Sequence, residues 1–214
     1  MTRFDLEPLT AALAAPSAVA RVSTRVAEGG RSAAVLIALA QHPDDTRIVL
    51  VEKDARLRSH AGQVAFPGGA IEPSDSTPVA AALREAEEEV GLPPAQIEVL
   101  GVLPPAHVRA SDFDVTAVVG QWATPHALVP VDLGEIAAVH SVAVTVLLDP
   151  ANRVTWTHPS GFAGPGFLVD DLFVWGFTAY LLDGLFDLAG WTVPWRRDRL
   201  ADIPERFLRG RRWQ

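Results

Sequence analysis

The spacing of apolar and polar residues along the chain predicts a series of strands and two principal helices. Two continuous apolar runs of strand length, 33–40 and 47–52, flank a polar turn at 42–45, which predicts a β-hairpin in a central sheet. Further β segments are predicted at 97–103, 115–121, 142–148 and, in two pieces, 154–174. The two principal helices are predicted at about 78–90 and from 175 to about 188, and a short helical piece is predicted at 9–15.

The helix predicted at 78–90 has clear start and stop signals. Thr77 can cap it, Pro78 suits its first position because the missing N–H has no partner there, and Gly91 ends it. Apolar residues recur along it at three- and four-residue spacing: Val79, Ala82, Leu83, Ala86 and Val90. They form one apolar stripe, which predicts that this helix packs against the sheet.

Beside that stripe, three carboxylates share one edge of the helix: Glu85, Glu88 and Glu89. Like charges at this spacing repel by roughly a few tenths of a kcal/mol per pair, and negative charge near a helix C-terminus opposes the helix dipole. A hard divalent cation would compensate, since Mg²⁺ and Mn²⁺ prefer oxygen ligands. A solvated acidic face is the alternative interpretation. Arg84 has the correct spacing to pair with Glu88 or Glu87.

A Phe-Pro-Gly-Gly turn at 66–69 leads into this helix, and its glycines allow the backbone to approach a ligand closely. Gly69 and the run 84–92 resemble the Nudix box, G-x5-E-x7-R-E-U-x-E-E-x-G-U, in which U is aliphatic. Two features depart from that box. Asp75 stands in place of the early Glu, and eight residues rather than seven separate it from Arg84.

The resemblance implies the Nudix fold, an α/β domain in which a mixed β-sheet is sandwiched between α-helices. It implies Mg²⁺ or Mn²⁺ as cofactor, with Glu85, Glu88 and Glu89 as the metal ligands. The loop at 131–136 is similar to a family loop that brings a further glutamate to the metal cluster, although Glu135 is equally interpretable as a surface residue. The residues implied to be catalytic are Arg84, which would orient the carboxylates, and Glu85, Glu88 and Glu135.

The segment before the box is similar to a longer signature of the coenzyme A diphosphatase branch of the family. The similarity rests on Leu57, Arg58, His60, Gly62, Val64 and 66–69. The extra residue ahead of Arg84 is also typical of that branch, whereas Lys53-Asp54 stands where the branch usually has Arg-Ser. The residues implied to bind substrate are Arg58, His60, Gly62, Phe66, Gly68 and Gly69.

This resemblance implies hydrolysis of the diphosphate bond of coenzyme A or an acyl-CoA, giving adenosine 3′,5′-bisphosphate and (acyl-)4′-phosphopantetheine. Two alternatives stay open. A related Nudix diphosphatase would act on ADP-ribose, NADH or another nucleoside diphosphate derivative. A non-catalytic Nudix module would instead sense a nucleotide and regulate a partner, and the intact set of glutamates argues against it.

The resemblance covers roughly 33–188, so we expect a Nudix domain at 31–190. An N-terminal extension at 1–30 is expected to pack on that domain. An arginine-rich tail at 191–214 is expected to be solvated or to contact a second subunit, so a homodimer stays open. The tail is also a candidate to reach a substrate phosphate.

Composition narrows the classes of function. The formal net charge of -8 argues against a general nucleic-acid binder, but a phosphorylated small molecule is compatible with it. The 214 residues include no cysteine, which excludes disulfides, thiolate metal sites and cysteine nucleophiles. No apolar run has the length needed to span a bilayer, and the N-terminus lacks the pattern of a signal peptide. We therefore expect a cytoplasmic protein that does not associate with membranes.

Overall fold

The computed structural model describes residues 4–23, 25–57 and 59–208. Its helices are α1 (Glu7–Leu13), α2 (Pro16–Val22), α3 (Pro78–Val90), α4 (Val144–Leu148), α5 (Gly176–Leu188) and α6 (Glu205–Leu208). Its strands are β1 (Arg31–Gln41), β2 (Thr46–Lys53), β3 (Val64–Ala65), β4 (Gly68–Ala70), β5 (Ile97–Val102), β6 (Ala106–Val108), β7 (Phe113–Trp122), β8 (Ile136–Ala143), β9 (Arg153–Thr157), β10 (Ala163–Val169), β11 (Leu172–Val174) and β12 (Leu200–Asp202). Within these ranges, no helix combines the length and the apolar character needed to cross a membrane.

Eight strands of the described chain form one mixed sheet, in which β3, β2, β1, β7 and β5 lie side by side in that order. Strand β4 pairs with β1, β6 with β7, and β8 with β2. The two central strands β1 and β7 run parallel, from Arg31 opposite Phe113 to Ala40 opposite Trp122. Strands β1 and β2 are antiparallel and form the predicted hairpin.

Side chains of β1 alternate between the two faces of this sheet, as the pleat of a strand requires. Leu36 and Ala38 are fully buried in a cluster with residues of α3, whereas Ile37 and Leu39 are fully buried in a second cluster with residues of α5. Burial on both faces explains why the strand is a continuous apolar run in the sequence. The predicted mixed sheet between helices is therefore confirmed.

A smaller sheet packs beside the first, with strands in the order β11, β10, β9 and β12. Strand β12 runs parallel to β9 and brings the C-terminal segment onto this sheet. Ile203 and Phe207 are buried there in a cluster with Trp156 and Trp175. The predicted tail at 191–214 thus contains a paired strand and buried side chains, while the division of the chain into an extension, a domain and a tail stays a prediction.

Two local features differ from the prediction. The strand predicted at 142–148 ends with β8, and its remaining residues form the short helix α4. Thr145 donates from its hydroxyl to the buried Asp45 carboxylate, which ties the first turn of α4 to the β1–β2 turn. The helix predicted at 9–15 is present as α1, two residues earlier, and the second helix α2, which begins at Pro16, was not predicted.

Candidate active site

Helix α3 begins and ends where the sequence predicts, and this sets the positions of its carboxylates. The Thr77 hydroxyl accepts a hydrogen bond from the Ala80 N–H, and Gly91 ends the helix in the left-handed conformation with φ 69°. Glu89 is then 3% exposed against the sheet, Glu85 is half-buried, and Glu88 points to solvent. One turn and a half of helix therefore presents carboxylates at three different depths.

The glycine turn at the start of the box contacts two of these carboxylates directly. The Gly68 N–H donates to Glu89 Oε2 at 3.0 Å. A Cβ on Gly69 would lie 2.6 Å from Glu85 Oε1, and a Cβ on Gly68 would lie 2.4 Å from the Ala34 carbonyl oxygen. A side chain at 68 would therefore clash with the backbone, and one at 69 would have to displace the Glu85 carboxylate.

Arg84 connects the exposed and half-buried carboxylates to the loop before the helix. Its guanidinium donates twice to Asp75, from Nε at 3.1 Å and from Nη2 at 3.0 Å, which lowers the pKa of that carboxyl. The same group lies 3.1 Å from Glu85 Oε1 and 2.8 Å from Glu88 Oε2. Asp75, which departs from the box in both residue type and spacing, thus anchors the arginine that contacts the other two acids.

Lys53 lies between the buried glutamate and the glutamate of the distant loop. Its Nζ is 2.6 Å from Glu89 Oε1 and 3.3 Å from Glu135 Oε2. Glu135, more than half exposed, therefore lies across Lys53 from Glu89, and its role at the cluster stays a prediction. The role of Lys53 was not predicted from the sequence, although the available signal was that it is the only lysine in the chain and stands immediately before the polar loop.

Glu85 and Glu89 are both harder to ionise than an ordinary glutamate. Burial raises the pKa of Glu85, Arg84 partly offsets this, and the charges of Glu89 and Glu88 raise it further. Burial also raises the pKa of Glu89, with partial compensation from Lys53 and the Gly68 N–H. Bringing these anions together is therefore unfavourable despite the two protein cations beside them.

The donor set fits a hard divalent cation by its chemistry, since every candidate ligand is a carboxylate oxygen. Among the described residues, however, no three acidic or histidine side chains already converge on one point as metal ligands do. The carboxylates point instead toward Arg84 and Lys53. Lys53 marks one position where positive charge is already held between two of the acids.

A cavity of about 620 Å³ opens next to this cluster. Of the residues predicted to bind substrate, His60, Phe66, Gly68 and Gly69 line it, together with Lys53. Gly62 is not among its lining residues; a Cβ there would lie 3.6 Å from the Phe207 ring. Arg58 lies outside the described residues.

Apart from the loop at 107–113, whose sequence indicates that it can line a pocket, the rest of the cavity wall was not predicted, because its residues come from distant segments. Aromatic side chains of the smaller sheet and of α5 supply much of it, namely Trp156, Phe162, Trp175 and Phe177. Arg25, from the segment before β1, and Arg109, from the loop between β6 and β7, add two guanidinium groups. At one end, the cavity is therefore lined by Lys53 and the two glycines that contact the carboxylates of α3, and elsewhere by arginines and aromatic side chains.

Residues 30–156 match the model of the NUDIX domain family. The chain is 41% identical over 161 residues to an uncharacterized Nudix hydrolase, NudL, of Citrobacter koseri, an alignment that covers 71% of this chain and 79% of that protein. The corresponding protein of Escherichia coli K12 is 39% identical over the same coverage. Among solved structures, the Nudix hydrolase RenU of M. smegmatis matches with a TM-score of 0.54 and 23% identity over 81% of this chain and 98% of that one.

Proposed function

The chain belongs to the Nudix hydrolase family, whose members hydrolyse the diphosphate linkage of nucleoside diphosphate derivatives, and on this basis we propose that its substrate is coenzyme A or an acyl-CoA. The products would be adenosine 3′,5′-bisphosphate and 4′-phosphopantetheine or its acyl form. One observation carries the proposal. Residues of the coenzyme A diphosphatase signature, His60, Phe66, Gly68 and Gly69, line the cavity, and the two glycines also contact the carboxylates of α3.

The proposed metal ligands are Glu85, Glu88 and Glu89. When bound there, Mg²⁺ or Mn²⁺ supplies positive charge against the phosphoryl oxygens and makes water a better nucleophile. Glu89 is held for this role by the Gly68 N–H and Lys53, at 3.0 and 2.6 Å. Arg84 holds Glu85 and Glu88 on the other side of the cluster.

In the proposed reaction, water attacks one phosphorus atom of the diphosphate, and the bond from that phosphorus to the bridging oxygen breaks. A carboxylate accepts the proton that the water loses, and the candidates are Glu85, Glu88 and Glu135. Glu135 reaches the cluster through Lys53, at 3.3 Å.

The test is a parallel kinetic panel of coenzyme A, acetyl-CoA, ADP-ribose, NADH and deoxynucleoside triphosphates, each with Mg²⁺ or Mn²⁺. We expect the highest kcat/KM for coenzyme A or its thioester, with adenosine 3′,5′-bisphosphate identified by mass spectrometry. A higher kcat/KM for any other substrate would refute the coenzyme A proposal. No hydrolysis of any of them would favour the nucleotide-sensing alternative.

A further inference from the structure

Arg25 is a cavity-lining cation held in place by a neutral aromatic partner. Its guanidinium carbon lies 4.9 Å from the centre of the Tyr180 ring, and its backbone N–H donates to the Tyr180 hydroxyl at 3.3 Å. That hydroxyl in turn donates to the Val22 carbonyl at 2.8 Å. The side chain is therefore stacked on a ring that the neighbouring backbone fixes, with its donors available to the cavity.

The charge of Arg25 has no carboxylate partner among the described residues, within the 4.0 Å limit of an ion pair. Burial lowers the pKa of its guanidinium, Tyr180 partly offsets this, and the positive charge of Arg109 lowers it further. Arg109 itself lies 4.0 Å from Glu28, at the outer limit of an ion pair, and is largely exposed. Two guanidinium groups thus line the same cavity and repel each other, and Glu28, which also lines it, lies beside Arg109. An anion bound at the two guanidinium groups would relieve their repulsion.

The backbone that carries this pair is tied down by one buried carboxylate. Asp114 accepts hydrogen bonds from the N–H groups of Glu28, Gly29 and Gly30, at 3.1, 2.9 and 3.0 Å. It also contacts His107 Nδ1 at 2.9 Å. The segment that follows Arg25 is therefore fixed to β7, which bears Asp114.

His107 also lines the cavity, but three carboxylates lie close to its imidazole ring. Its Nδ1 contacts Asp114, and its Nε2 lies 3.8 Å from the Asp112 carboxylate and 4.0 Å from the Glu28 carboxylate. A protonated His107 would thus be neutralised by protein carboxylates. Among the described residues that line the cavity, the positive charge that is left for a ligand therefore belongs to Arg25 and, at the rim, to Arg109.

We propose that Arg25 and Arg109 bind the phosphomonoester on the 3′ position of the substrate ribose. The inference rests on the proposed function, because coenzyme A carries this phosphate in addition to its diphosphate. A phosphomonoester is a dianion with several acceptor oxygens, which suits two guanidinium groups better than the neutral ribose hydroxyl of ADP-ribose or NADH. The carboxylate cluster with its metal takes the diphosphate, and the arginine pair selects the nucleotide that bears a third phosphate.

Binding without catalysis tests the arginine pair by itself. Affinities for adenosine 3′,5′-bisphosphate and for 5′-AMP are measured by calorimetry in metal-free buffer, on the wild type and on Arg25→Gln, Arg25→Lys and Arg109→Gln. The wild type is expected to prefer the bisphosphate, and Arg25→Gln to lose that preference by roughly 10- to 100-fold, the range of a charged hydrogen bond. Arg25→Lys should recover part of it.

Arg31 supplies the matched control, since its guanidinium also stacks on an aromatic ring, 4.1 Å from the centre of Phe113, but does not line the cavity. Arg31→Gln should leave both affinities unchanged. Equal affinity of the wild type for the two nucleotides would overturn the proposal. So would an equal loss of both affinities in Arg25→Gln, because the arginine would then act on a feature that the two ligands share.

Kinetics separates this inference from the proposed function. With coenzyme A and 3′-dephospho-coenzyme A as substrates, Arg25→Gln should raise KM for coenzyme A alone and leave kcat within about twofold, because uniform binding is lost. If the wild type hydrolyses neither compound but binds the bisphosphate through Arg25, the coenzyme A proposal fails and the phosphomonoester site stands. If coenzyme A is hydrolysed with a KM that Arg25→Gln does not change, the site fails and the proposed function stands.

Discussion

The carboxylates of α3 and the arginine pair at the cavity present the same electrostatic problem with opposite signs. Each brings like charges close together in a partly buried place, yet their partners differ. Glu85, Glu88 and Glu89 are contacted by Arg84 and Lys53. Arg25 is stacked on the neutral ring of Tyr180.

The two regions should differ in how much of the binding energy is used to rearrange protein groups. Acids that are already paired with protein cations must change partners or geometry to ligate a metal, so part of the binding energy goes into that exchange. Arg25 has no such ion pair to break among the described residues, and its ring and backbone contacts fix it in advance. We therefore expect the acidic cluster to control the rate of hydrolysis and the arginine pair to control affinity.

Removal of the metal should separate the two regions most sharply. In excess EDTA, we expect hydrolysis to fall by about 10³-fold or more, since a metal contributes several kcal/mol to stabilisation of charge in the transition state. Binding of adenosine 3′,5′-bisphosphate through the arginine pair should persist in the same buffer. Rate measurements and calorimetry on one sample test both statements, and hydrolysis that survives EDTA would contradict the assignment of a metal site.

Substitution of the buried Glu89 should have the next largest effect on hydrolysis. Glu89→Gln should lower kcat by roughly 10²–10³-fold, which exceeds the 10- to 100-fold loss typical of residues that only orient metal ligands. Glu87→Gln is the matched control, because Glu87 lies on the same helix but is exposed to solvent. Steady-state kinetics on both variants decides the matter. Similar kcat values for the two variants would contradict the proposal that Glu89 is a metal ligand.

Arg84→Lys should have an intermediate effect. A lysine retains the charge but cannot donate at once to Asp75, Glu85 and Glu88, as the guanidinium does at 2.8 to 3.1 Å. We expect kcat to fall by roughly 10- to 100-fold and the Mg²⁺ concentration for half-maximal activity to rise, as for other residues that orient metal ligands. Affinity for 5′-AMP in metal-free buffer should be unaffected, and a parallel loss of that affinity would indicate a general distortion of the cavity.

The smallest effect concerns the pH dependence of stability without metal. The pKa of Glu85 is raised by burial, so its contribution to folding is present at low pH and is lost as pH rises through the raised value. The pKa of Asp114 is lowered by the N–H groups of 28–30 and by His107. Its contribution is therefore present at neutral pH and is lost as pH falls through the lowered value.

Two variants test these opposite signs by thermal unfolding in EDTA. Glu85→Gln should raise Tm at neutral pH by a few degrees, about the effect of 1 kcal/mol in a domain of this size, and the gain should vanish below pH ~4. Asp114→Asn should lower Tm at neutral pH, with a difference that shrinks on acidification. A Glu85→Gln variant that is less stable than the wild type at neutral pH would show that the Arg84 contact outweighs burial.

Local signals were sufficient for the elements that the site is built on. Thr77, Pro78 and Gly91 define helix α3 because capping and the left-handed end depend only on neighbouring residues. The turn at 66–69 is likewise a local pattern, but the atoms that its glycines approach, on Ala34 and Glu85, are set by the tertiary structure. Periodicity failed at 142–148, where a short buried apolar run has the same pattern whether it is strand or helix.

The sequence by itself determined the mixed sheet, the acidic helix and the family. Only the tertiary structure decided which side chains of the site meet. Lys53 contacts Glu89 and Glu135, which are 36 and 82 residues away, and Arg25 contacts Tyr180, 155 residues away. The physical reason is the range of the interactions. Helix caps and apolar periodicity act within a few residues, whereas ion pairs and cavity walls form between segments that only the packing of the sheet brings together.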